Sequence, residues 1–228
     1  MRLLSLTALL ATLALPVSAA TLTDEFTFAS GLTNAGTATA TGSGTVGSGL
    51  YSFAKNQGLT VSLGSTLTAW SIVFKGQIGE TNGYRKLIDL SGLGSDNGFY
   101  NLGGTLNYYN VAFVSPITIL AATDFVAALT YDGTTAKGYV NGALQWSFAP
   151  AGGTGLPGAL STFVMVEDDF VTRQGEASAG ALDYVKVYNG ALTEAELGGT
   201  VPTVPVPASA PLLLAGIAGI AALRRRKA

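Results

Sequence analysis

Four carboxylates stand close together late in the chain, Glu167, Asp168 and Asp169 in a row and then Glu176. Acidic side chains at this density can do two kinds of chemistry. As hard oxygen donors, Asp168, Asp169 and Glu176, helped by loop carbonyls, suit calcium, an ion that takes roughly six to eight oxygens. As acid and nucleophile, two carboxyl groups about 5–5.5 Å apart cleave a glycosidic bond with retention. Alternate residues on a strand have Cα atoms about 6.6–6.8 Å apart, so Glu167 and Asp169 can meet. The competing reading is a solvated acidic loop between a strand ending at Val166 and one starting near Ala181. The chain has no histidine and no cysteine. That removes the commonest general base, the commonest transition-metal ligand and any disulfide framework. Calcium is the candidate ion, and no organic cofactor is expected.

Aromatic residues offer another chemistry, the stacking of ring faces on sugars. Tyr100, Tyr108, Tyr109 and Trp146 are the candidate platform. Trp146 alternates with Leu144 and Phe148, a pattern that also fits a core strand. Tyr108 and Tyr109 are adjacent, so on a strand one of them points outward. Charged residues make up 11% of the chain and the net charge is −2. No basic stripe exists outside the C-terminal tail, so nucleic acid is not expected as a partner.

The elements that must position these residues read as β throughout. Trp70, Ile72 and Phe74 alternate with Ser71 and Lys75, the period of a half-buried strand. Leu182, Tyr184, Lys186 and Tyr188 alternate in the same way with Asp183, Val185 and Val187. Phe125 to Tyr131 turns at Asp132-Gly133 and returns through Val140. Asn141-Gly142 then makes a second tight turn, because this pair supplies the positive φ of a type I′ hairpin. Gly103-Gly104 suggests a further hairpin between Phe99 and Tyr109. Thr33 to Gly49 reads as a loop or a poorly specified edge strand. The one helical signal is the capping box Thr193-Glu194-Ala195-Glu196.

Both ends of the chain carry targeting patterns. Arg2, an apolar stretch to Leu15, Pro16 and the small residues Val17-Ser18-Ala19-Ala20 read as a secretory signal with cleavage after Ala19 or Ala20. At the other end, Val204, Pro205, Val206, Pro207 and Ala208 form an extended, Pro-spaced element. An apolar run from Ala210 to Leu223 and a basic stop of Arg224, Arg225, Arg226 and Lys227 follow, cations that hold that end in the cytoplasm. The apolar run is short against the roughly 20 residues of a membrane span. It suits a transient retention signal better than a permanent anchor. The expected organisation is a signal peptide over 1–20, a single domain over 21–200, a Pro-rich linker and sorting motif over 201–209, and a hydrophobic helix with basic tail over 210–228.

The tail resembles the PEP-CTERM class of bacterial sorting signals, in the variant whose motif reads Val-Pro-Leu-Pro-Ala, with Val206 in the place of Leu. The resemblance implies recognition by an exosortase, a membrane-embedded cysteine transpeptidase. It also implies cleavage near the motif and delivery to the cell surface or extracellular polymer. Between the ends, Trp70 to Phe74, Tyr84 to Leu90, Ser95 to Tyr100, Leu129 to Gly133, Gly138 to Gly142 and Val185 to Thr193 are similar to laminin-G-like jelly rolls. The fold class implied over Phe26 to Leu197 is an all-β, concanavalin A-like antiparallel sandwich. A helical signal segment and a short C-terminal hydrophobic helix flank it. Relatives of this fold carry calcium at the sandwich rim. Laminarinase-type hydrolases of the fold use Glu-x-Asp-x-(x)-Glu. Glu167 and Asp169 match its first two places, and Val171 or Thr172 stands where the last Glu belongs. The expected function is a non-enzymatic, exported carbohydrate- or matrix-interaction module with extracellular polysaccharide as ligand. A polysaccharide hydrolase and a purely structural matrix protein are the alternatives.

Overall fold

β-Branched and aromatic residues at every second position drive the chain into strands, because only a pleated sheet buries one such face and leaves the other wet. The computed structural model describes residues 19–111 and 118–198. In chain order the first seven strands are β1 (Thr21–Phe26), β2 (Thr39–Gly42), β3 (Thr45–Gly47), β4 (Leu50–Phe53), β5 (Leu59–Leu67), β6 (Trp70–Ile78) and β7 (Tyr84–Asp89). The others are β8 (Phe99–Leu102), β9 (Thr105–Tyr108), β10 (Phe125–Tyr131), β11 (Ala136–Val140), β12 (Ala143–Phe148), β13 (Leu160–Met165) and β14 (Gly180–Asn189). A one-turn helix, α1 (Glu194–Leu197), closes the domain behind the expected capping box.

Two antiparallel sheets pack face to face. The first runs β12-β11-β10-β6-β14-β4-β3, with β1 also paired to β14. The second runs β2-β5-β13-β7-β8-β9. Trp70, Ile72, Phe74 and Ile78 of β6, Leu129 of β10 and Val185 and Val187 of β14 point into the space between them. There they meet Leu59, Val61, Leu87, Phe99, Leu106, Phe163 and Met165 from the second sheet. This is the all-β sandwich expected from the sequence. The short β2 and β3 lie at sheet edges, which is what the Gly- and Thr-rich stretch around them supports.

Local turn chemistry sets the register. Asn141 and Gly142 adopt φ 49° and 82°, and the Asn141 side chain accepts from the Val126 N–H. A Cβ on Gly142 would also come within 2.6 Å of the Gly198 Cα. Gly103 and Gly104, at φ 61° and 90°, join β8 to β9. Among the strands that depart from simple alternation, β14 bears on the outer face of the first sheet. A bulge in β14 between Leu182 and Tyr184 leaves Asp183 opposite no residue of β6. Leu182 therefore enters the core, while Asp183 and Tyr184 both face outward. Residues 1–18 of the signal segment, the sorting motif Val204 to Ala208, the apolar run and the basic stop Arg224 to Lys227 lie outside the described residues. Among the described residues no helix is long and apolar enough to cross a membrane.

Candidate functional site

Asp168 and Asp169 of the acidic cluster are buried, and a lysine of the chain stands among them. Lys86 of β7 reaches them across the outer face of the second sheet. Its Nζ lies 2.5 Å from Asp169 Oδ2, 3.2 Å from Asp89 Oδ2 and 3.8 Å from Asp168 Oδ1. All four side chains are 0% exposed. Nζ also donates to the Ser95 carbonyl and sits 5.0 Å from the centre of the Tyr100 ring. An ammonium of the chain itself thus stands where the calcium expectation put an ion. Among the described residues no three carboxylates are arranged to hold a metal. The third expected ligand, Glu176, contributes its backbone, donating N–H to Asp168 Oδ2 and accepting from the Lys86 N–H. Sequence reasoning missed Lys86 because β7 lies about eighty residues away from the cluster it neutralises.

Burial dominates the titration here. It pushes the Glu176 carboxyl up to about 7, with Asp168, Asp96 and Asp169 adding to the rise. Burial also pulls the Asp169 carboxyl upward, but the Lys86 ammonium and the Thr172 N–H outweigh it and hold that group below its usual value. The pair that a retaining hydrolase needs is not displayed on an open face. Asp169 is sealed against Lys86, and Glu167 is raised by burial and then by Asp89.

The expected aromatic platform is dispersed. Trp146 and Tyr108 pack against each other inside the sandwich, with ring centroids 6.0 Å apart. Tyr100 is buried under the acidic loop and packs edge-on against Tyr84 and Tyr109. Of the four, Tyr109 alone reaches the surface, half-buried.

A different aromatic face lies on the outside of the first sheet. The β14 bulge and the valines behind it put Tyr184, Lys186 and Tyr188 on one outward row, all half-buried. Tyr184 stands opposite Lys75 of β6, and Lys186 stands opposite Val73. Lys186 Nζ sits 4.9 Å from the centre of the Tyr184 ring and pairs with Glu25 Oε1 at 3.1 Å. A groove of about 360 Å³ opens along this row, bounded by Val73, Val126, Leu192, Leu197 and the two tyrosines. Beyond Tyr184 lies a wider hollow of about 500 Å³, lined by Lys75, Asp183, Asp124, Gln77 and Leu50. There Lys75 Nζ holds Asp183 Oδ2 at 2.6 Å and Asp124 Oδ2 at 3.3 Å. Hydrogen bonds donated to those two carboxylates raise the Lys75 ammonium, and burial raises the two tyrosine hydroxyls. Ser71 Oγ anchors the wall of the groove by donating to the Gly190 carbonyl and accepting from the Leu192 N–H.

Both lysines of this face are matched by carboxylates, so it offers little net charge. It offers two half-buried tyrosines, several fixed donors and acceptors and an apolar floor, the mixture found where a polar organic ligand is held. The signal for it was present in Tyr184-x-Lys186-x-Tyr188, set against Val185 and Val187 on the same strand. The alternation was legible, but which face was wet depended on the bulge.

The family model of the concanavalin A-like lectin/glucanases, of laminin G type, matches residues 56–198. The chain belongs to the concanavalin A-like lectin/glucanases superfamily. Solved structures agree on the superfamily's fold. Domain 4 of an extracellular arabinanase from Geobacillus stearothermophilus, in complex with arabinotriose, is 15% identical with a TM-score of 0.54, over 79% of this chain and 98% of that one. The botulinum neurotoxin serotype D binding domain is 12% identical with a TM-score of 0.55, over 78% of this chain and 50% of that one. Trypanosoma rangeli sialidase, solved as a covalent intermediate with 2,3-difluorosialic acid, is 13% identical with a TM-score of 0.55, over 78% of this chain and 32% of that one. This superfamily member therefore spans half or less of the toxin and sialidase chains. No curated protein sequence matches it.

Proposed function

We propose that this superfamily member is an exported, non-catalytic carbohydrate-interaction module that holds a glycan on the outer face of its first sheet. The observation that carries the reading is the row Tyr184, Lys186 and Tyr188 beside the hollow at Lys75 and Asp183. Tyrosine rings cover the apolar faces of sugar rings, and the Lys75–Asp183–Asp124 group supplies fixed donors and acceptors for hydroxyls. The matched charges favour a neutral or weakly charged polymer over a polyanion. The arabinanase domain solved with arabinotriose, the toxin binding domain and the sialidase support a carbohydrate ligand by fold analogy. The signal pattern at 1–20 and the Val204–Ala208 motif support export and exosortase processing, with delivery to the cell surface or matrix.

Affinity electrophoresis or a glycan array tests the site. The parent protein is expected to bind at least one neutral polysaccharide. Tyr184→Ala and Tyr188→Ala are each expected to weaken binding by more than about 1 kcal/mol, as truncation of an aromatic anchor in a binding surface does, with the fold retained. Unaltered binding in the double variant would move the site elsewhere, and release of reducing sugar by the pure protein would restore the hydrolase reading.

A further inference from the structure

The Lys86 site combines a nucleophile, an electrophile and a proton acceptor in a dry enclosure. We propose that Lys86 and Asp169 close an intramolecular isopeptide bond, Nζ to Cγ, with release of one water molecule. The inference is independent of the glycan site.

Geometry supplies each participant. Lys86 Nζ is already in contact with the Asp169 carboxylate at 2.5 Å, with neither side chain exposed. Held so, two groups react as an intramolecular pair, and the entropic part of the barrier is largely removed. Asp169 Oδ1 accepts the Thr172 N–H at 2.9 Å, a fixed donor aimed at the oxygen on which negative charge develops when Cγ is attacked. The Tyr100 hydroxyl lies 3.3 Å from Oδ2, the oxygen that departs. Asp168 Oδ1 makes no hydrogen bond although it is buried, and it faces Nζ at 3.8 Å. Asp89 Oδ2 and the Ser95 carbonyl, each at 3.2 Å, fix the lysine from its other side.

The steps balance without a co-reactant. The ammonium passes one proton to Asp169 Oδ2, giving a neutral amine and a carboxylic acid. The amine lone pair forms the N–C bond at Cγ. Asp168 Oδ1 takes a second proton from nitrogen and returns it to the Oδ2 hydroxyl. The C–O bond then breaks, water leaves, the carbonyl reforms on Oδ1, and Asp168 is again a carboxylate. Nothing is oxidised or reduced. Proton transfer from nitrogen must precede attack and the site exists only in the folded chain, so the reaction is slow and follows folding. Exclusion of water from the site slows the reverse hydrolysis. The product exchanges a buried ion pair, which contributes little net stability, for a neutral amide. In a chain with no cysteine, it ties β7 covalently to the loop that follows β13.

Tryptic mapping of the folded full-length protein decides the matter. A linked Lys86 is not cleaved, so the expected product is a branched peptide joining residues 86–137 to residues 138–173, lighter than the sum of the two by one water. Asp168→Asn is expected to fold and to lose the link, and Lys86→Met to abolish it. Should either variant fail to fold, the map of the parent protein is sufficient. Cleavage after Lys86 with residues 138–173 recovered at full mass overturns the proposal. So does a water loss that maps to Asp132-Gly133, where an Asp-Gly turn can close to a succinimide.

Discussion

Glu176 shows how far one side chain can shift the behaviour of this fold. Its carboxyl titrates near 7 in the folded state, first because of burial and then because of Asp168, Asp96 and Asp169. In the unfolded chain it returns to about 4.3, the ordinary glutamate value. The folded state thus holds this proton more tightly, and Glu176 costs stability above its folded pKa. As pH falls through about 7 towards about 4.3, that cost disappears. The melting temperature is therefore expected to rise on going from about pH 8 to about pH 5, and thermal scans across that range check it. Glu176→Gln is expected to flatten the dependence and to melt higher than the parent at pH 8. Asp168 and Asp96 act on Glu176 whether or not Lys86 is linked, so the prediction does not depend on that bond.

At the scale of elements, the clearest test is the β11–β12 hairpin. Gly142 has φ 82°, and a Cβ there would strike the Gly198 backbone. Gly142→Ala is expected to destabilise the domain by at least about 1–2 kcal/mol from its left-handed backbone alone, measured by urea unfolding with an unchanged m-value. This turn, the glycine-pair turn and the capping box were all legible because each is decided by neighbours in sequence. So was the sandwich, since period-two alternation in β6 and β10 fixes an inner and an outer face. The site was not legible to the same degree. The β14 bulge reverses which of two alternating sets is wet, and nothing local to Leu182-Asp183-Tyr184 announces it. Lys86 and the acidic loop meet only through the pairing of β7 with β13. The pairing of Asp168 and Asp169 with Lys86, and the dispersal of the expected Tyr100–Trp146 platform, were hidden for that reason. Carboxylates and aromatics state a chemistry in sequence, but their partners are set by distant strands.

For the molecule as a whole, the core between the two sheets draws on every long strand between β5 and β14. About 180 residues bury roughly 70% of their unfolded surface, which is expected to suffice without disulfide, cofactor or the chain ends. A polypeptide of residues 21–200 is expected to give a β-type circular dichroism spectrum and one cooperative melt. Coincident transitions by tryptophan fluorescence and circular dichroism check it. A helical spectrum or a broad, non-coincident transition would contradict a single folding unit.

The placement of β14 has a temporal meaning. This last strand sits in the middle of the first sheet, between β6 on one side and β4 and β1 on the other. Thr21 at the start of the domain pairs with Asn189 near its end. A chain emerging N-terminus first, from a ribosome or through a membrane, holds β1 without its strand partner and the β3–β4 hairpin with one open edge until β14 has appeared. The sheet cannot close early, so the polypeptide stays threadable for almost its whole length. It then completes its fold in a single late event, on whichever side of the barrier its last strand arrives.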